Sequence, residues 1–371
     1  MPKIKVGFIG AGRIADVHSQ AYIDPETGDR TINPTGELYA VADSSPGKAE
    51  QRKAQWGATK AYTDYHDLLA DKTVDAVEIL LPHHLHLPVA TKALRAGKHV
   101  SLQKPMTNTL AEADQLIAEV KKHPKQTFRI VENFESFEQV SLAKKLIEQG
   151  EIGEPAAIRI KNVGGVSRTG WDVPADSVAW RMQMKTGGPG QIFDGGHHSA
   201  ALAMFFMGPV ERVHAFVHKA EDGKVAYSGS PSMISWVHAG HGRDGALLRY
   251  GSWQSTSSQE MMVRSKTYSG SGTVEITGTK GILWVNKLTG ELGAGPSVTV
   301  YRDGSFKNYS DVNPDDGNSF RRAGQVFTKA VADGEMRPRL TPEYARSIMT
   351  FTLAIIRSGE EGREVTVKEM G

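Results

Sequence analysis

Three short stretches carry residue types able to do chemistry at spacings that matter. "KVGFIGAGRIADVH" sets Gly10, Gly12 and Ala15 in a G-x-G-x-x-A pattern. "SLQKPMTN" puts Lys104 between Gln103 and Pro105, after a β-like run and before a helix-like one. "FDGGHHSA" separates Asp194 from His198 by four positions. That is one helical turn, so on a helix both side chains share a face. Taken alone, the last pair is more often a surface pair or a cap, and such a lysine is usually a solvated charge. The glycines say more. They follow a strand-like run and open a helix-like one, where the first makes a tight turn, the second admits a pyrophosphate, and a small third residue lets helix and strand pack. The phosphates would rest on the helix N-terminus.

"ELYAVAD" ends on Asp43, placed to bond the adenine-ribose hydroxyls. It lies farther from the glycines than the usual spacing of about twenty residues. "DPETGDRTINPTG" accounts for the excess as a turn-rich insertion. A carboxylate repels a 2′-phosphate, so Asp43 points to NAD, while Ser44, Ser45 and Lys48 keep NADP open and a helix-capping role for Asp43 competes. A metal site built on Asp194, His197 and His198 is disfavoured. Adjacent histidines on a helix point different ways, and no further ligand has zinc-like spacing.

These groups need elements to hold them. Up to about residue 131, short aliphatic runs (Ile4 to Ile9, Leu38 to Ala42, Val74 to Leu81, His99 to Leu102, Thr127 to Val131) alternate with amphipathic stretches. Such alternation predicts βαβ crossovers and a parallel sheet covered on both faces. Thr109 and Glu112 read as the capping box of one helix. After a helix expected over Ser136 to Gln149, the texture changes to repeated β-like runs separated by turns, including Asp222-Gly223, Asp244-Gly245 and Asp303-Gly304. Two terminal helices are expected, at Ser319 to Ala332 and Pro342 to Arg357. The fold class is therefore α/β plus α+β: a Rossmann dinucleotide-binding domain over 1–133, then a substrate-binding and oligomerisation domain over 134–371 with a large, mostly antiparallel open sheet, its C-terminal helices free to pack back on the first domain.

Composition narrows the function. The formal charge of +2 over 44 basic and 42 acidic residues gives no electrostatic case for nucleic acid or an anionic membrane. The absence of cysteine excludes disulfides, thiolate metal sites and cysteine nucleophiles. No apolar leader precedes "IKVGFIG" and no run suits a membrane span, so a cytoplasmic protein is expected.

Over nearly its full length the chain resembles the Gfo/Idh/MocA family of sugar and cyclitol oxidoreductases. The resemblance rests on "GAGRIA", "YTDYHDLLADKTVDAVEILLPHHLHLPVATKALRAGKHVSLQKP", "GEIGEPAAIRIK" and "GGPGQIFDGGHHSAALAMFFMG". It implies that Lys104, in the family's E-K-P position, serves the reacting carbon beside the nicotinamide, and that Asp194 and His198 match the family's D-x-G-x-H run. His198 is then the first choice of base, Lys104 binds the hydroxyl and stabilises alkoxide charge or shares the base role, and Asp194 supports both. By the same resemblance Gly10, Gly12, Arg13, Ile14, Asp43, Ser44, Leu81, Pro82, His86, Gln103, Asn133 and Arg181 (with Trp180) lie along the cofactor, and His197 and His198 near the substrate. Two positions depart from the pattern: neutral Gln103 stands for the usual Glu, and Ala201 for a second acidic residue.

Trp171, in the polar loop "SRTGWDVPADS", is a platform for the apolar face of a sugar ring. The expected activity is NAD(P)-dependent dehydrogenation of a sugar, sugar derivative or inositol. The alternatives are an NAD-dependent glycosidase working by transient oxidation and elimination, and a noncatalytic nucleotide sensor. A broad antiparallel sheet needs cover, so a homodimer or homotetramer through that sheet is expected.

Overall fold

The computed structural model describes residues 2–166, 179–240, 248–263, 270–289, 295–313 and 315–371; Trp171 and the Asp244-Gly245 turn lie outside them. The chain divides into two compact units. One holds 1–133, the described part of 173–188, and 317–346; the other holds the rest.

In the first unit, β1 (Ile4–Ile9), β2 (Gly36–Ala42), β3 (Lys60–Tyr62), β4 (Ala76–Ile79), β5 (His99–Gln103) and β6 (Phe128–Val131) form one sheet in the order β3-β2-β1-β4-β5-β6. Every pairing is parallel. The crossovers carry α1 (Arg13–Ser19), α2 (Pro46–Trp56), α3 (Tyr65–Ala70), α4 (His86–Arg95) and α5 (Leu110–Lys122). The α5 capping box forms as read: Thr109 accepts from the Glu112 N–H while Glu112 accepts from the Thr109 N–H. Aliphatic strands buried on both faces are what a helix-covered parallel sheet demands. Phe8 is fully buried and meets Tyr22 and Trp56 edge-on at 5.8 Å each. The strand order reverses between β1 and β4, and in such sheets the carboxyl ends of the strands there flank the ligand crevice. β3 was not legible, since three residues are too few to show a period.

The second unit holds α6 (Glu138–Glu148), β7 (Pro155–Val166), α7 (Gly196–Met207), β8 (Val210–Val217), β9 (Ser232–His238), β10 (Tyr250–Met262), β11 (Gly270–Gly278), β12 (Gly281–Thr289), β13 (Val298–Arg302), β14 (Ser305–Tyr309) and β15 (Val365–Thr366). Its nine strands run β14-β13-β12-β11-β7-β10-β9-β8-β15, all antiparallel except β7 with β10. Asp303 and Gly304, at φ 51° and 79°, make the hairpin turn between β13 and β14. One face buries Ile158, Ile160, Ile234, Trp236, Trp253, Val274 and Leu283. α7 lies buried along its whole length except at His198.

The last helices are α8 (Asp316–Asp333) and α9 (Pro342–Glu361). α8 belongs to the first unit, where Phe327 and Val331 join the core of Val6, Phe8, Leu38 and Trp56. It also holds the 24–36 insertion: Arg321 pairs with Asp24 at 2.9 Å and Gln325 donates to the Ile32 carbonyl at 2.9 Å. The segment after it covers the edge of β6, with the N–H groups of Phe128 and Ile130 donating to the carbonyls of Met336 and Leu340. Among the described residues no helix is long and apolar enough to cross a membrane.

Candidate functional site

In the first unit the expected residues gather where the strands end. Gly10 follows β1 at φ +100°, and a Cβ there would stand 2.5 Å from the Leu80 carbonyl oxygen and 3.0 Å from Leu81. Gly12 caps α1, and a Cβ there would meet nothing within 4 Å. The first glycine is thus demanded by the fold, whereas the second leaves a space a pyrophosphate can fill. Asp43 ties this loop down: its Oδ2 accepts from the Ala11 N–H at 2.9 Å and its Oδ1 from the Ser45 N–H at 3.0 Å. One carboxylate therefore serves both the capping role and the rim of the site, with Ser44 exposed beside it and Arg13 and Ile14 half-buried at the start of α1. These residues fit a dinucleotide.

The two glycines separate fold from ligand. Gly10→Ala strains the backbone, a cost of about 1–3 kcal/mol, and should lower the thermal midpoint. Gly12→Ala should melt as the wild type does yet bind NAD⁺ more weakly by calorimetry. Equal NAD⁺ affinity in Gly12→Ala would remove the pyrophosphate from that space.

Behind β4, Leu81 and Pro82 are half-buried, but His86 is fully buried. Its Nδ1 lies 2.9 Å from the Pro105 carbonyl and its Nε2 2.9 Å from the Leu81 carbonyl, so the ring is packed between the loop after β4 and the one after β5. Gln103 and Asn133 are likewise turned inward; Asn133 donates to Ser319 Oγ at 2.9 Å. His83, which carries no signal in the sequence, donates from Nδ1 to the Gly187 carbonyl at 3.0 Å and meets Trp180 edge-on at 4.8 Å. Asn108 donates to the Lys185 carbonyl at 3.1 Å. These contacts seat the 179–188 segment, and with it Arg181, on the first unit. Lys104 stands half-buried at the end of β5, its backbone N–H held by Gln103 Oε1 at 2.8 Å.

Burial pushes the His86 imidazole down to about 4, outweighing the backbone groups of Leu81, Pro105 and Met106. His238 of the second unit, whose Nε2 accepts from Trp236 Nε1–H at 2.8 Å, is also pushed down by burial to about 4. Between that value and the ordinary 6.5 the unfolded chain takes up protons that the folded rings refuse. Stability is therefore fully present above 6.5 and falls as the pH drops towards 4. Each ring contributes about 3 kcal/mol to that fall. Urea unfolding of wild type and His86→Gln at pH values spanning the window should show the variant with the shallower loss.

In the second unit Asp194 closes the short helical turn Gln191–Asp194, and Gly196 starts α7. The glycines between Asp194 and the histidines are there for close packing. A Cβ at Gly195 would stand 2.1 Å from Gln191 Nε2, and one at Gly196 2.6 Å from the Trp253 ring. Asp194 is 6% exposed. His198 is half-buried and stacks on Phe134, with ring centroids 4.1 Å apart and planes 8° from parallel. His197 is fully buried. Neighbours on a helix differ by about 100° in direction, so a ring at 198 that reaches the surface turns 197 into the core. Among the described residues no three His, Asp or Glu side chains are grouped to hold a metal ion.

Known proteins share this pattern. A family model described as "Oxidoreductase family, NAD-binding Rossmann fold" matches residues 4–130, and the "GFO/IDH/MocA C-terminal domain" model matches 140–284. Myo-inositol 2-dehydrogenase of Thermotoga maritima is 27% identical over 380 residues, covering 99% of each chain. Levoglucosan dehydrogenase of Pseudarthrobacter phenanthrenivorans is 27% identical over 248 residues, which span 67% of this chain and 62% of that protein. A solved levoglucosan dehydrogenase with NADH and levoglucosan matches the fold with a TM-score of 0.78 at 21% identity, covering 99% of this chain and 100% of the other. With the glycine-loop sheet and the larger sheet each matched in turn, the chain belongs to the Gfo/Idh/MocA oxidoreductase family and carries its NAD-binding Rossmann fold.

Proposed function

We propose that the protein is an NAD-dependent dehydrogenase that oxidises a secondary hydroxyl of a cyclitol, sugar or sugar derivative. The observation that carries this reading is Lys104 at the end of β5 in a unit whose glycine loop and Asp43 fit NAD, together with Asp194 and His198 at the start of α7. The related dehydrogenases named for myo-inositol and levoglucosan supply the substrate class.

On this reading Gly10, Gly12, Arg13 and Ile14 hold the pyrophosphate, and Asp43 and Ser44 the adenine ribose. Leu81, Pro82, Lys104 and Arg181 line the nicotinamide end. The bound nicotinamide supplies the two-electron acceptor for the hydride. His198 takes the hydroxyl proton as the C–H bond breaks, and Phe134 fixes the plane of its ring. Lys104 donates a hydrogen bond to the oxygen as negative charge builds on it. Asp194, held near the start of α7, orients and electrostatically supports the other two. Asp43 favours NAD over NADP because its side chain, which accepts two backbone N–H groups at the rim, is an acidic group that a 2′-phosphate would face.

The deciding experiment mixes the protein with NAD⁺ or NADP⁺ and a panel of inositols, aldoses and anhydrosugars, and follows reduced cofactor at 340 nm. Accumulating NADH supports the reading; glycoside cleavage without NADH, or NAD⁺ binding with no turnover on any polyol, would replace it with the glycosidase or the sensor. We further propose a cytoplasmic enzyme, to be checked by cell fractionation, that assembles through the outer face of the larger sheet. On that face Phe216 and Met233 pair across β8 and β9 at 66% and 51% exposure, with Tyr250 of β10 at 49%. A monomer by light scattering at micromolar concentration would count against the assembly.

A further inference from the structure

Of the two residues that depart from the family pattern, Gln103 is not a weaker copy of glutamate. Gln103 ends β5 with both halves of its amide engaged: Oε1 accepts from the Lys104 N–H at 2.8 Å, and Nε2 lies 2.9 Å from His18 Nε2. Those two contacts fix every proton along a buried chain. An amide nitrogen only donates, so His18 Nε2 accepts and the ring carries its hydrogen on Nδ1. That Nδ1–H donates to Glu78 Oε2 at 2.6 Å, and the Tyr22 hydroxyl donates to Glu78 Oε1 at 2.6 Å. His18, Glu78 and Tyr22 are 3%, 1% and 2% exposed, so each missing partner would be costly. Phe8 and Phe320 flank the His18 ring. Gly324 of α8 closes the far end, where a Cβ would stand 2.4 Å from Ala21 Cβ and 3.7 Å from both Glu78 Oε1 and the Tyr22 hydroxyl. Burial, with the Glu78 charge beside it, holds the Tyr22 hydroxyl well above its ordinary range, so it remains a donor.

We propose that Gln103, His18, Glu78 and Tyr22 form a positioning relay that locks the backbone of Lys104 to the helix of the glycine loop, and that the relay requires a neutral amide at position 103. Its functional consequence rests on the role given to Lys104 above. On this proposal the four are positioning residues that act through Lys104. A carboxylate at 103 has no proton to give and would face the lone pair of His18 Nε2. The ring would then take a second proton and stand between two carboxylates, with the Tyr22 hydroxyl still on Glu78 and the charge of the buried Arg129 acting on Tyr22. Gln103 is matched to a histidine on α1 and a carboxylate on β4.

The test uses the full-length protein labelled with ¹⁵N-histidine. Long-range ¹H–¹⁵N spectra should show wild-type His18 as the neutral Nδ1–H tautomer at pH 7, and Gln103→Glu should convert it to the doubly protonated ring at the same pH. Exchange of the Lys104 amide proton should be slow in the wild type and faster in His18→Leu. In turnover, Gln103→Glu should lower kcat about 10- to 100-fold and add an ionisation to its pH profile, while NAD⁺ affinity changes little. His18→Asn, which keeps one acceptor and one donor, should recover part of the rate lost in His18→Leu. An Nε2–H or doubly protonated His18 in the wild type would overturn the proposal, as would Gln103→Glu with unaltered kcat and pH profile. The spectra and the exchange need no substrate, so they test the relay even if the dehydrogenase reading fails.

Discussion

Lys104→Ala is expected to lower kcat about 10²- to 10⁴-fold while the dissociation constant for NAD⁺ moves little. The lysine is half-buried at the end of β5, and the contact that places it, from its backbone N–H to Gln103, survives truncation of the side chain. The fold should therefore be intact. What is lost is an ammonium donor whose interaction strengthens as the substrate oxygen becomes an alkoxide, an interaction worth most in the transition state, so the loss falls on kcat more than on KM. Lys104→Arg should not restore the rate, because a planar guanidinium fork cannot replace a compact ammonium. Steady-state rates with the best polyol, paired with NAD⁺ titration calorimetry, decide the matter. A kcat close to wild type would remove Lys104 from the chemistry.

His198→Asn is the second large effect, again about 10²- to 10⁴-fold in kcat. As the base for oxidation His198 must be unprotonated, so wild-type kcat/KM should rise with pH as the imidazole loses its proton, and the variant should lose that limb. Retention of the limb in His198→Asn would move the base elsewhere, with Lys104 the next to test. Phe134→Leu gives a graded companion. It keeps the imidazole but removes the ring stacked on it at 4.1 Å, so the limb should stay while kcat falls by less.

Much of the first unit was legible because its signals are local. Gly10, Gly12 and Ala15 lie within one strand-turn-helix, Thr109 caps three residues from Glu112, and Asp43 ends its own strand. The Asp303-Gly304 turn was legible for the same reason, but β14 beyond it was not, since "SFKNY" is short, polar and mostly exposed. The relay escaped the sequence altogether. His18 and Gln103 are 85 positions apart and Tyr22 and Glu78 are 56, and only the parallel sheet brings them together. Helical geometry alone separates His197 from His198: the angle that argues against paired histidine ligands also denies them the same exposure. Phe134, one position beyond Asn133, had no sequence signal as the ring under His198.

The return of α8 to the first unit bears on how the protein is made. Phe327 and Val331 complete the core around Phe8, and the stretch through Leu340 covers the edge of β6. During synthesis, domains fold as units as they emerge. Here the N-terminal one stays short of part of its core until the ribosome has passed residue 340, after the second sheet has been translated almost entirely. A gene fragment ending at residue 133 would thus yield a sheet with an open flank, and the nucleotide-binding unit is one of the last parts of the chain to be finished.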